Sequence, residues 1–141
     1  MAETALLVEH LFTLTAHTAP GMTVAGGPHG TRRITAITGG TFVGPKLRGT
    51  VADQPGGDWL LVRADGSLRL DVRLLLQTDD GAAILMTYSG IGVATAEGFA
   101  LRTAPQFATG DGRYAWLNRV QAVGIGTPGR GSVTYEVYAL R

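Results

Sequence analysis

The stretch SLRLDVRLLLQTDDGAAILMTYSG at residues 67–90 decides the fold of this chain. It predicts two β-strands joined by a tight turn at residues 79–81, because apolar and polar side chains alternate on either side of an Asp-Asp-Gly sequence. One face of the first strand is wholly apolar and the other is mainly ionic. The apolar face comprises Leu68, Leu70, Val72, Leu74 and Leu76, and the opposite face comprises Arg69, Asp71, Arg73, Leu75 and Gln77. The direction of the ionic face decides whether the protein has a charged pocket or a solvated wall.

The composition limits the classes of function. The chain has 141 residues, which predicts one domain over residues 1–141 with a sizeable core. Charged residues make up 16% and the net charge is +1, so no basic excess points to nucleic acid or a membrane surface. There is no cysteine, and therefore no disulfide, thiol nucleophile or thiolate metal site.

The N-terminal segment does not have the pattern of a targeting signal. The sequence MAETALLVEHLF carries acidic residues and no basic residue before its apolar run, so we expect no signal peptide. No apolar run approaches the roughly 18 residues of a membrane span. The sequence therefore predicts a soluble, cytoplasmic protein.

Short strands separated by turns account for the whole chain. The predicted strands cover residues 6–17, 32–43, 46–52, 58–64, 67–78, 82–89, 98–103, 114–126 and 132–140, with loops at 18–30 and 104–113 and no helix. The Gly39-Gly40 pair inside the second strand predicts a bulge, a bend or the close approach of another backbone. Hairpin connections favour a single antiparallel β-barrel of about eight strands, because closure removes the exposed edges of an open sheet. Such a barrel can hold side chains or one small ligand.

The motifs of several enzyme classes are absent. The glycine-rich stretches do not open a helix, so they do not predict a nucleotide or phosphate site. No serine lies in a nucleophile elbow. His10, His17 and His29 lack the spacing of metal ligands. We therefore expect neither a metal nor a cofactor.

Four segments carry a resemblance to a known family. They are GGTFVGPKLRGTV at 39–51, GGDWLLVRADGSLRLDVRLLLQTDDGAAILMTYSG at 56–90, FATGDGRYAWLNRV at 107–120 and YEVY at 135–138. The chain resembles small bacterial and fungal proteins grouped only as a domain of unknown function. The resemblance implies an allene oxide cyclase-like barrel, related to dirigent proteins and cofactor-free polyketide cyclases. A lipocalin-like barrel is the alternative for the fold. It also marks the polar residues of the family pattern, which are Asp58, Trp59, Arg63, Asp71, Arg73, Tyr114, Trp116, Asn118 and Arg119.

The ionic face of residues 67–78 supplies the first candidate site. Asp71 and Arg73 share this face, and Arg63 lies on the preceding strand. If they line the lumen, Asp71 is a candidate base or orients an arginine, and the arginines hold a substrate oxygen. The leucine face would then lie outside and need a homodimer to cover it. In the alternative, the ionic face is a solvated outer wall.

Further residues complete the predicted site. Tyr88 is a candidate hydrogen-bond donor to a developing oxyanion, or a tyrosine at the barrel rim. Trp59 and Trp116 are candidate walls of the substrate cavity, although a surface tryptophan and core filling are the simpler interpretations. Asn118 is a candidate substrate-binding amide, because an amide on an apolar strand face needs a partner.

Two functions fit these patterns. The first is a cofactor-independent enzyme of the isomerase, cyclase or lyase kind, acting on a small, apolar, oxygenated metabolite in the barrel. The second is a non-catalytic carrier for an apolar metabolite. Both predict a small-molecule ligand, no nucleic acid or membrane partner, and a homodimer or higher homo-oligomer.

Overall fold

The computed structural model describes residues 2–141, and its regular structure is almost entirely β. A single 3₁₀-helix, Ala115–Arg119, is the exception within these residues. The strands are β1 (Val8–Gly27), β2 (Gly30–Val43), β3 (Arg48–Val51), β4 (Gly57–Val62), β5 (Leu68–Thr78), β6 (Ala83–Thr95), β7 (Gly98–Thr103), β8 (Gln106–Ala108), β9 (Ala122–Pro128) and β10 (Ser132–Leu140). No helix among the described residues is long and apolar enough to cross a bilayer.

Eight of these strands form a closed ring. Their order around it is β1, β2, β4, β5, β6, β7, β9 and β10, and β10 pairs with β1 to close it. The short strand β3 lies between β2 and β5, and β8 extends the sheet beside β6. Every pairing is antiparallel. The predicted all-β antiparallel barrel of about eight strands is therefore confirmed.

Strand β5 turns its leucine face into the barrel. Leu70, Val72, Leu74 and Leu76 are each at most 2% exposed, whereas Arg69, Asp71, Arg73 and Gln77 are exposed. Burying four large aliphatic side chains outweighs any gain from enclosing an ionic row, since each contributes about 1.5–3 kcal/mol when removed from water. The solvated-wall alternative is the observed arrangement, and the outward leucine face that motivated a homodimer is not present.

The predicted loop at residues 18–30 was wrong. Strand β1 continues to Gly27 and pairs with β2 in a long hairpin. Its pairing with β10 ends at His17, so Pro20 lies on a free strand edge. A missing N–H is tolerated there. A register shift between Ala19 and Met22 accommodates the Pro-Gly sequence that suggested a loop.

The glycine pair of β2 lies at another register shift, as the sequence predicted. Gly39 and Gly40 have φ angles of 146° and 137°, which other residues rarely adopt. A Cβ on Gly40 would lie 2.0 Å from the carbonyl oxygen of Thr15. The pair therefore allows β1 and β2 to approach closely at a bend.

The predicted strand over residues 114–126 was also wrong in its first half. Residues 115–119 form the 3₁₀-helix, in which the Leu117 N–H donates to the Tyr114 carbonyl at 3.0 Å. Leu117 is fully buried, and β9 begins only at Ala122. In a 3₁₀ turn the side chains at i and i+3 lie on one side, so the two-residue alternation assumed for this segment does not apply to it.

One half of the barrel interior is filled by aromatic side chains. Phe12 contacts Phe42 and Phe107 edge to face, with ring centroids 5.5 and 6.0 Å apart. Such contacts are favourable for aromatic quadrupoles and leave no space between the rings. The open space of the barrel therefore lies in the other half.

Candidate functional site

A cavity of about 340 Å³ occupies this other half of the barrel. Strands β1, β2, β4, β5, β6, β7, β9 and β10 and the turn before β10 contribute to it. The apolar side chains of its wall are Ile37, Leu60, Leu68, Leu70, Val72, Phe99, Leu101, Pro128 and Val133. The polar side chains are Thr18, Arg33, Thr35, Asp58, Tyr88, Ser132 and Tyr135. An apolar cavity with a few convergent polar groups is typical of a small-molecule site.

Asp58 places a carboxyl group inside this cavity because of its position in β4. Asp58, Leu60 and Val62 alternate with Trp59 and Leu61, so the first set faces the lumen. Asp58 pairs with Thr35 of β2 and Val72 of β5, which also face inward. Its carboxyl group is therefore held on a rigid strand rather than a loop.

The backbone pairing of β4 with β5 is interrupted beside Asp58. Strands β4 and β5 pair at Asp58 and again at Leu61, but not at Trp59 and Leu60. The Asp71 N–H donates to Asp58 Oδ1 at 3.2 Å, and Arg32 Nη1 donates to the Trp59 carbonyl at 2.9 Å. Hydrogen bonds of the Asp58 and Arg32 side chains thus take the place of backbone pairing at this point. The first of them fixes the position of the Asp58 carboxyl group.

Burial raises the pKa of Asp58 from 3.8 to about 6. The Asp71 N–H opposes this rise, because a hydrogen bond to the carboxylate favours the charged form, and the Asp71 carboxylate adds to it. Both protonation states are consequently populated near neutral pH. That is the property of a general acid or base.

Tyr88 and Tyr135 form the inner part of the site. Their ring centroids are 5.3 Å apart and the rings meet edge to face at 68°. Burial raises the pKa of both phenols, and the Asp58 charge adds to the rise in each. Both hydroxyls therefore remain protonated at physiological pH, the form in which a phenol donates a hydrogen bond.

The ionic residues predicted from the sequence lie elsewhere. Asp71, Arg73 and Trp59 line a hollow on the outside of the barrel, and Trp59 is 55% exposed. Arg63 is at the β4–β5 hairpin, where its Nε donates to Ser67 Oγ at 2.9 Å. The structure therefore does not bring Asp71, Arg73 or Arg63 into the barrel cavity.

Trp116 and Asn118 lie on the 3₁₀-helix and also outside the cavity. Lys46 Nζ is 5.3 Å from the centre of the Trp116 ring. Asn118 bonds the backbone of Thr109 twice, accepting from its N–H at 2.8 Å and donating to its carbonyl at 3.0 Å. The Asn118 amide thus has its hydrogen-bond partners within the protein, and it holds the loop that contains Thr109 in place.

Tyr88 is the predicted site residue that does line the cavity. Three further polar residues of the cavity were not predicted as site residues from the sequence, although the first of them belongs to the family pattern: Asp58, Tyr135 and Arg33. A signal was available: Asp58 alternates with Leu60 and Val62, so it shares the more uniformly apolar face of its strand. Among the described residues, no cluster of three or more His, Asp or Glu side chains is placed to hold a metal ion.

Comparison with known proteins places this chain among barrels of unknown function. A family model described as "Protein of unknown function (DUF3237)" matches residues 7–140 and confirms the resemblance found in the sequence. A β-barrel-like protein of Acinetobacter baumannii AYE is 31% identical and superposes with a TM-score of 0.91, covering 99% of each chain.

One match in sequence and one in structure are each to an enzyme of Penicillium herquei. The hydroalkoxylation enzyme phnH of Penicillium herquei is 39% identical over 94 residues, which are 66% of this chain and 56% of that one. The match thus spans little more than half of that relative. A crystal structure of an enzyme from Penicillium herquei is 29% identical, with a TM-score of 0.77 and coverage of 100% of this chain and 98% of that one.

Proposed function

Because the chain belongs to the DUF3237 family of proteins of unknown function, we propose that its cavity is the active site of a cofactor-independent enzyme. The enzyme transfers a proton within a largely apolar, oxygenated substrate, in a reaction of the isomerase, cyclase or lyase type. One observation carries the proposal: the Asp58 carboxyl group lies in an apolar cavity, and burial raises its pKa to about 6. A group that changes protonation near neutral pH can both donate and accept a proton.

The similarity to a hydroalkoxylation enzyme supports a particular reaction. Hydroalkoxylation adds an alcohol O–H across a C=C bond, and within one molecule it closes an oxygen ring. The carboxylic acid of Asp58 protonates one alkene carbon, the hydroxyl oxygen bonds to the other, and the hydroxyl proton returns to Asp58. The alkene π bond and the O–H bond break, a C–H and a C–O bond form, and no electron is gained or lost.

The two tyrosines support the same chemistry. Tyr88 and Tyr135 are neutral donors in the interior, where a hydrogen bond to a developing negative charge on oxygen is stronger than in water. The aliphatic wall around them gives a flexible substrate a folded shape that brings hydroxyl and alkene together. The chain itself then supplies orientation, exclusion of water and one mobile proton.

Turnover of a simple model substrate tests the proposal. An ortho-prenylphenol has a hydroxyl and an alkene on an apolar skeleton, and its addition product is a dimethylchroman of the same formula. We expect the wild-type protein to form the ring and, in D₂O, to place deuterium on the protonated carbon. Asp58→Asn removes the acid but keeps the oxygen that accepts the Asp71 N–H, so the reaction should fall by at least about 100-fold.

The matched control is Asp71→Asn, which makes the same change on the outer face. Equal loss of turnover in the two variants would contradict a role for Asp58 in proton transfer. Binding of the prenylphenol without any turnover by the wild type would favour the alternative, a carrier for apolar metabolites. Cytoplasmic location and a homodimer stay predictions.

A further inference from the structure

The mouth of the cavity is rich in hydrogen-bond donors that have no partner. The four lining residues that define this mouth are Arg33, which is exposed, and Thr18, Thr35 and Ser132, which are half-buried. Within residues 2–141, the side chains of these four residues make no hydrogen bond or ion pair to another residue. A cation and three hydroxyls at one opening form an arrangement that suits the oxygens of an anion.

Arg33 is held at the mouth by its place in β2. It pairs with Leu60, an inward-facing residue of β4, so its side chain starts on the lumenal side. Its neighbour Arg32 starts on the opposite side and donates to the Trp59 carbonyl. Asp58 is not the partner of Arg33: no hydrogen bond or ion pair joins the two side chains, and the carboxylate of Asp58 accepts from the Asp71 N–H instead. The guanidinium group therefore remains available.

We propose that the cavity binds an amphipathic organic anion. Its apolar skeleton lies against Leu60, Leu70, Phe99 and Val133, and its oxyanion, a carboxylate or an ionised enol or phenol, is bound by Arg33 and the mouth hydroxyls. The inference rests on the proposed function in using the same cavity, and it adds the charge class of the substrate. A planar guanidinium group suits two oxygens of such a head group.

An anion in the cavity also affects Asp58. The charged and titratable side chains around Asp58 are Arg33, Tyr88 and Tyr135 in the cavity and Asp71 on the adjacent strand. A second negative charge beside a carboxylate in an apolar space is unfavourable, so a bound anion favours protonated Asp58. The bound substrate would thus keep Asp58 in the form that donates a proton.

Two fluorescent probes that differ in charge test the proposal without knowledge of the substrate. Anilinonaphthalene sulfonate carries an anion on an apolar skeleton, and N-phenyl-naphthylamine has a similar skeleton without charge. We expect Arg33→Gln to weaken binding of the sulfonate by about tenfold or more, the typical effect of losing a charge-assisted hydrogen bond, and to leave the neutral probe unchanged. Arg69→Gln, an equal loss of charge at an exposed outer position, should leave both affinities unchanged.

A third variant locates the probes. Val133→Trp fills the cavity and should weaken both probes in a protein whose circular dichroism spectrum is unaltered. Sulfonate binding that Arg33→Gln does not weaken, or that Arg69→Gln weakens equally, would overturn the proposal. So would sulfonate binding that survives Val133→Trp. None of these measurements depends on turnover, so their outcome is independent of the test of Asp58 in proton transfer.

Discussion

Tyr135 lies across Gly126, the residue directly opposite it in the β9–β10 pair. A Cβ on Gly126 would be 2.2 Å from Cε1 of the Tyr135 ring, which no real contact permits. The absence of a side chain at Gly126 is thus what allows the ring to lie in the lumen beside Tyr88. Glycine here provides space rather than a special backbone angle.

Gly126→Ala is therefore expected to destabilise the protein by about 1–3 kcal/mol, because the ring or the strand must move. Chemical denaturation measures the change. Gly110→Ala is the control, since a Cβ there would meet no atom within 4 Å. If the ring is the cause, the substitution should cost much less in a Tyr135→Ala background. An equal cost in both backgrounds would show that backbone strain is responsible.

Asp58 should make stability depend on pH. The pKa is about 6 in the folded protein and 3.8 as its ordinary value, so between these values the folded state binds more protons. The contribution of Asp58 is fully present below about pH 4 and is lost as the pH rises through about 6. Asp58→Asn should therefore raise the free energy of unfolding at about pH 8, on the order of 3 kcal/mol. At about pH 4 the difference should vanish.

Denaturation of both proteins across this range measures the effect. Asp71→Asn, on the outer face, should not produce the same pH-dependent difference. A stability difference between wild type and Asp58→Asn that stays constant from about pH 4 to about pH 8 would mean that Asp58 has an ordinary pKa.

Thr103 is a buried residue whose hydroxyl group lacks a hydrogen-bond partner among the described residues. Its Oγ1 bonds no group among the described residues, although the side chain is only 7% exposed. Thr103→Val keeps the shape and removes the unpaired oxygen, so we expect stability to rise by about 1 kcal/mol. Thr78→Val is the contrasting control, because Thr78 Oγ1 accepts the Ala82 N–H at 2.8 Å and its loss should destabilise. A fall in stability for Thr103→Val would reveal a bonded hydroxyl.

The outer ionic face gives a prediction about activity. Asp71 and Arg73 lie outside the cavity, so Arg73→Gln and Asp71→Asn should each retain turnover of the prenylphenol within about twofold, while Asp58→Asn loses it. Initial rates at saturating substrate make the comparison. A large loss in Arg73→Gln with normal stability would restore the catalytic site that the sequence suggested on this face.

Much of the fold was predictable because it depends on local pattern. Alternation of apolar residues in β5 and β6, with a turn at residues 79–81, is a sufficient signal for a hairpin. The Gly39-Gly40 bulge was predictable because glycine tolerates the observed φ angles. The extension of β1 was not, since Pro20 is acceptable only because the edge toward β10 lacks a partner there, and Gly21 lies at a register shift against β2.

The candidate site was less predictable. Tyr88 was predicted and lines the cavity, but the ionic residues predicted with it lie outside the cavity: Asp71, Arg73 and Arg63. Alternation shows which side chains share a face but not which face is inside. Asp58, a single acid among apolar residues, looked less informative than the paired charges of Asp71 and Arg73.

The sequence by itself therefore determined an antiparallel barrel, because strand periodicity and turn residues are local properties. Only the tertiary structure decided that the leucine face of residues 68–76 fills the lumen, since that choice depends on burial summed over all the strands. Only ring closure brings Asp58 of β4, Tyr88 of β6 and Tyr135 of β10 to one cavity. Because these three residues are far apart along the chain, the sequence does not show that they share a cavity. The raised pKa of Asp58 exists only once the apolar wall surrounds its carboxyl group.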